Sequence, residues 1–487
     1  MMNNIFQKII NNINKAPLYA QLPLIYLIGG LSALLIFRRS NNLILTLVFF
    51  LTFSIYYSIR YFLKKTINYK VFLMISIALN TLATQKFKFV AILTLCISIA
   101  FVIGLYKFFE TKQGYKKYLY VGILYVFFIL LGICFSRFHS QTFIFFLSIR
   151  VWDFLFGSVL VTFALPIYFY ELRGYKKEDK LVSLLLYTVL GPYNSIFSFA
   201  SNSAPLFSKW NKGLDENLDI GRPVKGIFLL VYSALCSIAL TNGKSYFLEF
   251  FQHIRSYDAS FILIFLFFLF SFGLLYLFAA TLFHSIVGFI YLWGFSIPTM
   301  IYYPFLSRDF LSFFRKWMVY YREVGVRLFF YPLQFKFKSH KILGTLLAGS
   351  SVFLFVTTIH ILVFFRLYVL GIWSYGKFLY MSIWETYLDV ILALWIICSF
   401  LISSKIKFKK MKNIMNKNIL LNFMYKILSW LIFFLIVSFM WFGFSIYFLG
   451  DEIFLELVVY IQQFIRTKNL YLINYFWFPF NLTFLIQ

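Results

Sequence analysis

FILIFLFFLFSFGLLYLFAATLF, Phe261 to Phe283, has no charged side chain. It is long enough to carry an α-helix across the hydrocarbon of a bilayer, which takes about 20 apolar residues. Apolar runs of this kind recur from Leu24 to the last residues of the chain. None alternates polar and apolar positions in segments of about ten residues, the pattern of a transmembrane barrel. The fold class that follows is all-α, a polytopic integral membrane helical protein. Composition agrees: 62% of the 487 residues are hydrophobic and 13% charged, against roughly half and a quarter in soluble globular domains. A water-soluble domain is excluded.

Runs of sufficient length lie near 23–37, 42–62, 88–108, 117–135, 143–170, 182–200, 226–242, 260–283, 285–305, 341–372, 383–403 and 424–449. With a partly polar helix from residue 451, they predict about twelve or thirteen membrane segments. Ser201 to Lys225 breaks the rhythm with Asp215, Glu216, Asp219, Gly213, Gly221 and two prolines, and reads as an exposed loop. It divides the chain into an N-terminal transmembrane bundle with its polar loop, residues 1–225, and a region 226–487. The second region carries most of the charges at membrane depth, so chemistry is expected there.

Lys and Arg outnumber Asp and Glu by 45 to 17, a formal charge of +28. The cations gather in short loops between spans, as in Lys405 to Lys417. Positive-inside topology and anionic lipid headgroups, cardiolipin among them, account for this; nucleic acid does not. Phe (68) and Tyr (35), with many Ile, Asn and Lys, are the residues of AT-rich codons. An organelle genome and the mitochondrial inner membrane are the expected setting, an AT-rich bacterium the alternative. Met1 to Ala16 is polar with two Lys and lacks the Arg- and Ser-rich pattern of an import presequence. Cys96, Cys134, Cys236 and Cys398 stand singly in apolar runs and read as core residues. No cofactor or metal is expected. Gly243-Lys244-Ser245 lacks the first Gly of a phosphate-binding loop, because Ile238 stands there.

Ser307 to Lys341 reads SRDFLSFFRKWMVYYREVGVRLFFYPLQFKFKSHK. A helix this charged lies in or near the membrane without crossing lipid alone. Arg308, Arg315 and Lys316 suit an interfacial helix that snorkels its cations into headgroups. Arg327 differs: Val324 to Val326 precede it and Leu328 to Phe330 follow. Its guanidinium stays charged at any ordinary pH, so at membrane depth it needs an acidic partner or water. Candidate carboxylates are Glu385 and Asp389, four residues apart on one helix face, and Glu452 and Glu456, spaced likewise. Gln463 lies two turns beyond Glu456 on the same face, and His340 is the histidine of the charged stretch, able to relay protons near neutral pH.

These residues resemble subunit a of F-type ATP synthases, the stator subunit that carries protons past the rotating c-ring. Gly325 to Phe329 (GVRLF), then His340 and Leu346 to Gly349 (LLAG), is similar to the family segment in which an essential Arg precedes Gly-His and a Leu-rich Ala-Gly run. Leu455 to Phe464 (LELVVYIQQF) is similar to the family's last helix, where an acidic residue is followed seven positions later by Gln. Tyr331 stands where the family has Asn, Ser339 replaces the Gly before His, and the separation of Arg327 from Gln463 requires inserted spans. The likeness covers about residues 290–470, leaving the N-terminal 225 residues an unmatched extension. It implies two wet half-channels against the c-ring, Arg327 separating them and His340, Glu385, Asp389, Glu456 and Gln463 lining them. The partners would be the c-ring and other membrane subunits. A rival resemblance, to membrane-bound O-acyltransferases, rests on Arg308-Asp309-Phe310, Arg315-Lys316-Trp317, Tyr331-Pro332 and His360 within an apolar run. A structural subunit of another respiratory complex is the third alternative.

Overall fold

A computed structural model describes residues 18–37, 43–62, 88–111, 220–256, 261–294, 301–307, 310–317, 325–369, 374–383, 385 and 386, with scattered positions such as 390, 394, 430, 433 and 434. Among these residues 92% are helical and none lies in a strand, so the all-α expectation holds for them. The long helices are α1 (Leu18–Phe37), α2 (Leu43–Phe62), α3 (Lys88–Thr111), α4 (Gly221–Ser256) and α5 (Phe261–Leu292). A 3-10 turn at Pro304–Leu306 and the short α6 (Phe310–Lys316) follow. A π-helical turn (Val326–Phe330), α7 (Tyr331–Lys336) and the long α8 (Lys341–Val369) come next. A further helix, α9, runs over 375–383 and includes 385 and 386.

Among the described residues three stretches are long and apolar enough to cross a membrane: Gly221–Gln252, Leu266–Leu292 and Ile342–Leu362. Their outward faces fit that environment. On α4, Phe228, Val231, Leu235 and Ile238 are exposed at helical spacing, and on α8 Leu343, Leu347 and Leu354 are. Stripes of exposed large apolar side chains tolerate lipid or a partner and are penalised in water. This is the pattern of a membrane protein.

The sequence pattern divides 260–283 from 285–305 at His284. In the structure α5 runs unbroken through His284 to Leu292. A helix in hydrocarbon satisfies its backbone internally, so one polar side chain gives it no reason to end. Gly243-Lys244-Ser245 likewise lies inside α4. A Cβ on Gly243 would stand 2.7 Å from Leu274 Cδ2, so this glycine serves close helix packing.

The chain divides into two compact units with interleaved segments. One is Met1–Cys236, Ala280–Tyr302 and Arg315–Pro332; the other is Ser237–Ala279, Tyr303–Phe314 and Leu333–Gln487. In the first, α1 packs on α2, and Phe49, Phe53 and Tyr56 of α2 gather around the fully buried Trp293. The last carbonyls of a helix have no partner within it. At the end of α5 side chains supply them: Tyr57 OH donates to Leu292 O (2.5 Å), Tyr56 OH to Trp293 O (3.0 Å) and Arg222 Nη1 to Gly294 O (3.0 Å). Gly294 takes φ 80°, the left-handed conformation that closes a helix. Helices α4 and α5 cross at Gly226 and Gly288. A Cβ on Gly226 would meet Leu292 N at 2.7 Å and Gly288 O at 2.8 Å, so only glycine permits this backbone approach.

In the second unit, Phe247 stacks on Phe267 with centroids 4.6 Å apart and planes 16° from parallel. Trp430 Nε1 donates to Phe305 O (2.7 Å), satisfying a carbonyl of the 3-10 turn.

Candidate functional site

Helices α8 and α9 meet through aromatic rings. Tyr368 of α8 stacks on Phe378 of α9 with centroids 5.4 Å apart, while Phe365 touches Phe378 and Tyr368 touches Tyr375. Ser374 starts α9, its carbonyl accepting from Phe378 N and its hydroxyl from Lys377 N. From this aromatic level His360 lies eight residues back along α8 and Glu385 seven residues forward along α9. At 1.5 Å per residue those steps are about 12 Å and about 10.5 Å, so two antiparallel helices bring both side chains to one height.

They meet: His360 Nδ1 and Glu385 Oε1 are joined by a hydrogen bond. The Glu385 side chain is 2% exposed and that of His360 23%. The imidazole also stacks on Phe364, one turn further along α8. Glu385 belongs to a buried stripe of α9 with Lys377, Tyr380 and Met381. Its second oxygen, Oε2, is buried and has no hydrogen-bond partner among the described residues. A carboxylate withdrawn from water is costly unless paired, so this oxygen is the unfinished part of the pair. His360 sits two residues inside the end of the apolar stretch Ile342–Leu362.

Arg327 lies in the first unit, half-buried on the π-helical turn. The turn is closed by Tyr331 N–H donating to Val326 O. Pro332 supplies its cause, since a proline ring clashes with the carbonyl four residues earlier and has no N–H to offer it. Widening the turn before the proline relieves the clash, and such bulges are frequent at functional sites.

His340 is exposed in the corner between α7 and α8, its carbonyl accepting from Gly344 N at 2.8 Å. The same corner holds Gln334 Nε2 on Thr345 Oγ1 (2.8 Å). The structure thus pairs Glu385 with His360 and leaves His340 at a helix start. Arg315 is exposed and Lys316 half-buried in the last turn of α6. Asp389, Glu456 and Gln463 lie outside the described residues, as do Arg322 and most of the loop 201–225. Sequence reasoning had assigned His360 to the acyltransferase alternative and Glu385 to the proton channel. The two belong to one pair, and the signal available for it was a lone histidine in one apolar run and the carboxylates Glu385 and Asp389 in the next.

No protein-family model matches the chain, and no curated protein matches it.

Proposed function

We propose that this chain is the proton-translocating stator subunit of a rotary F-type ATP synthase, of the subunit a type, seated in the mitochondrial inner membrane against a ring of c subunits. The observation that carries the reading is the pair formed by the half-buried His360 and the buried Glu385 between α8 and α9. One proton shared by an imidazole and a carboxylate can sit on either without creating net charge, as an ion pair or as a neutral pair. Oε2 is the point at which a further proton or a water would join. Ionisable side chains within membrane helices are expensive and mark ion pathways. Arg327 supplies the fixed cation such a subunit requires: it attracts a deprotonated ring carboxylate and repels a proton crossing directly between half-channels.

Proton flux in vesicles reconstituted with the complex tests this. Glu385→Gln, which keeps the shape and removes the titrating oxygen, is expected to abolish ATP-driven pumping. Arg327→Ala is expected to abolish it and to open a passive leak. Arg315→Ala should be mild, because an exposed cation at the end of α6 can snorkel. Normal coupled pumping by the Arg327→Ala complex overturns the reading.

One observation favours the acyltransferase alternative: a carboxylate on Nδ1 is also how a general-base histidine is oriented. Acyl transfer to any acceptor that disappears in His360→Ala would replace the proton reading.

A further inference from the structure

Away from His360 and Glu385, a second polar cluster is enclosed between α4 and α5, within the first unit. Ser233 of α4 is buried and donates its hydroxyl to Thr281 O of α5 at 2.6 Å. Three residues further along α5, His284 is 8% exposed and packs edge-on to the Tyr232 ring, with centroids 5.1 Å apart. Cys236, one turn beyond Tyr232, is buried and hydrogen-bonds to it. Two atoms of the cluster are buried without a hydrogen-bond partner among the described residues: Thr281 Oγ1 and His284 Nδ1.

Other hydroxyls of the chain show how easily a helical hydroxyl can be satisfied. Ser271, Ser285, Thr241 and Thr357 each donate to a carbonyl three or four residues earlier in their own helix. Thr281 does not turn back in this way. Positions three apart on a helix are neighbours on one face, so its hydroxyl and the His284 imidazole border the same space. Buried polar groups left unpaired in this manner ordinarily share an enclosed water, which needs two or more polar partners. A dry apolar pocket would offer none.

We infer that Thr281 and His284 form a second intramembrane site, one that holds water and through it gives the His284 imidazole proton exchange with the bulk. The ligand is water in its role as proton donor and acceptor. A metal ion is not required, and no cluster of three or more His, Cys, Asp or Glu suited to one occurs among the described residues. The site is independent of the proton-channel reading, because it stands on the α4–α5 contact alone.

Hydrogen–deuterium exchange at the histidine C2 position, followed by mass spectrometry of the full-length protein in its native complex, tests it. Each histidine reports separately, and the exchange requires water and passage through the protonated ring. His284 is expected to take up deuterium more slowly than the exposed His340, with a sigmoidal dependence on pH. Thr281→Val, nearly the same in shape, should slow the uptake at His284 severalfold and leave that at His340 unchanged. Absence of uptake at His284 while His340 exchanges shows a dry pocket and overturns the inference. Unchanged uptake in Thr281→Val overturns the shared site. Should that variant fail to assemble, the unsubstituted protein alone decides, through uptake or its absence at His284.

Discussion

The end of α5 and the α8–α9 pair both fasten helices with aromatic rings and buried polar groups, yet they use the polar groups differently. At the end of α5, Tyr56, Tyr57 and Arg222 donate to three successive carbonyls that the helix itself cannot satisfy. Nearby, Gly226 and Gly288 let two backbones touch. Each bond there completes a helix terminus. Between α8 and α9, Glu385 is brought out of water to meet one histidine and keeps an oxygen with no partner among the described residues. A helix end that is merely held would gain nothing from that arrangement. The contrast implies that the polar groups of the first region serve stability alone, whereas those of the second are not what stability requires.

The harshest way to break the first region is Gly226→Leu. Its Cβ would stand 2.7 Å and 2.8 Å from backbone atoms of α5, which cannot move aside as a flexible side chain would. Overpacking costs typically about 1–3 kcal/mol where side chains can shift, and more where they cannot. We expect the variant to be lost from the membrane fraction altogether, as judged by the amount of assembled complex. Assembly at normal levels would mean that the glycine crossing does not hold α4 to α5.

The second region separates into two outcomes. His360→Phe leaves Glu385 buried without its partner, and removing one member of a buried pair costs about 3–5 kcal/mol. Replacing both members with apolar residues of similar volume is often neutral or stabilising. The double variant His360→Phe, Glu385→Leu should therefore regain most of the thermal stability lost in His360→Phe, measured by melting in detergent. Proton pumping should remain absent in both. Recovery of pumping together with stability would make the pair a structural fastener.

The long helices were legible because an apolar run of about twenty residues has few other uses. The division at His284 was not, because a polar residue facing a neighbouring helix looks the same in sequence as one facing a loop. Arg327 was legible as a cation among apolar residues, and Pro332 five residues later carried the signal for the π-turn around it. Glu385 was legible as a misplaced carboxylate. Its partner was not: the sequence offers Glu385 as a carboxylate for Arg327, and its meeting with His360 depends on the register of two antiparallel helices. That register is fixed by Tyr368 on Phe378, a contact that no spacing rule announces.

The smallest effect sharpens the comparison most. Tyr57→Phe removes one hydroxyl and keeps the ring, so the packing of Phe53 against Tyr57, with centroids 4.7 Å apart, is preserved. What is lost is a donor to Leu292 O in a fully buried setting. A typical hydrogen bond contributes about 1 kcal/mol net, and a buried acceptor left unsatisfied costs about 1–3 kcal/mol. The melting temperature should fall by a few degrees while proton flux per assembled complex stays unchanged, because this bond completes a helix end and touches no proton path. Tyr56→Phe, acting on the adjacent carbonyl, should cost a similar amount. The two tyrosine rings meet edge-on with centroids 5.2 Å apart, so the paired substitution is expected to depart from additivity. A fall in flux at unchanged stability in either variant would place the end of α5 in the conducting machinery and dissolve the distinction between the two regions.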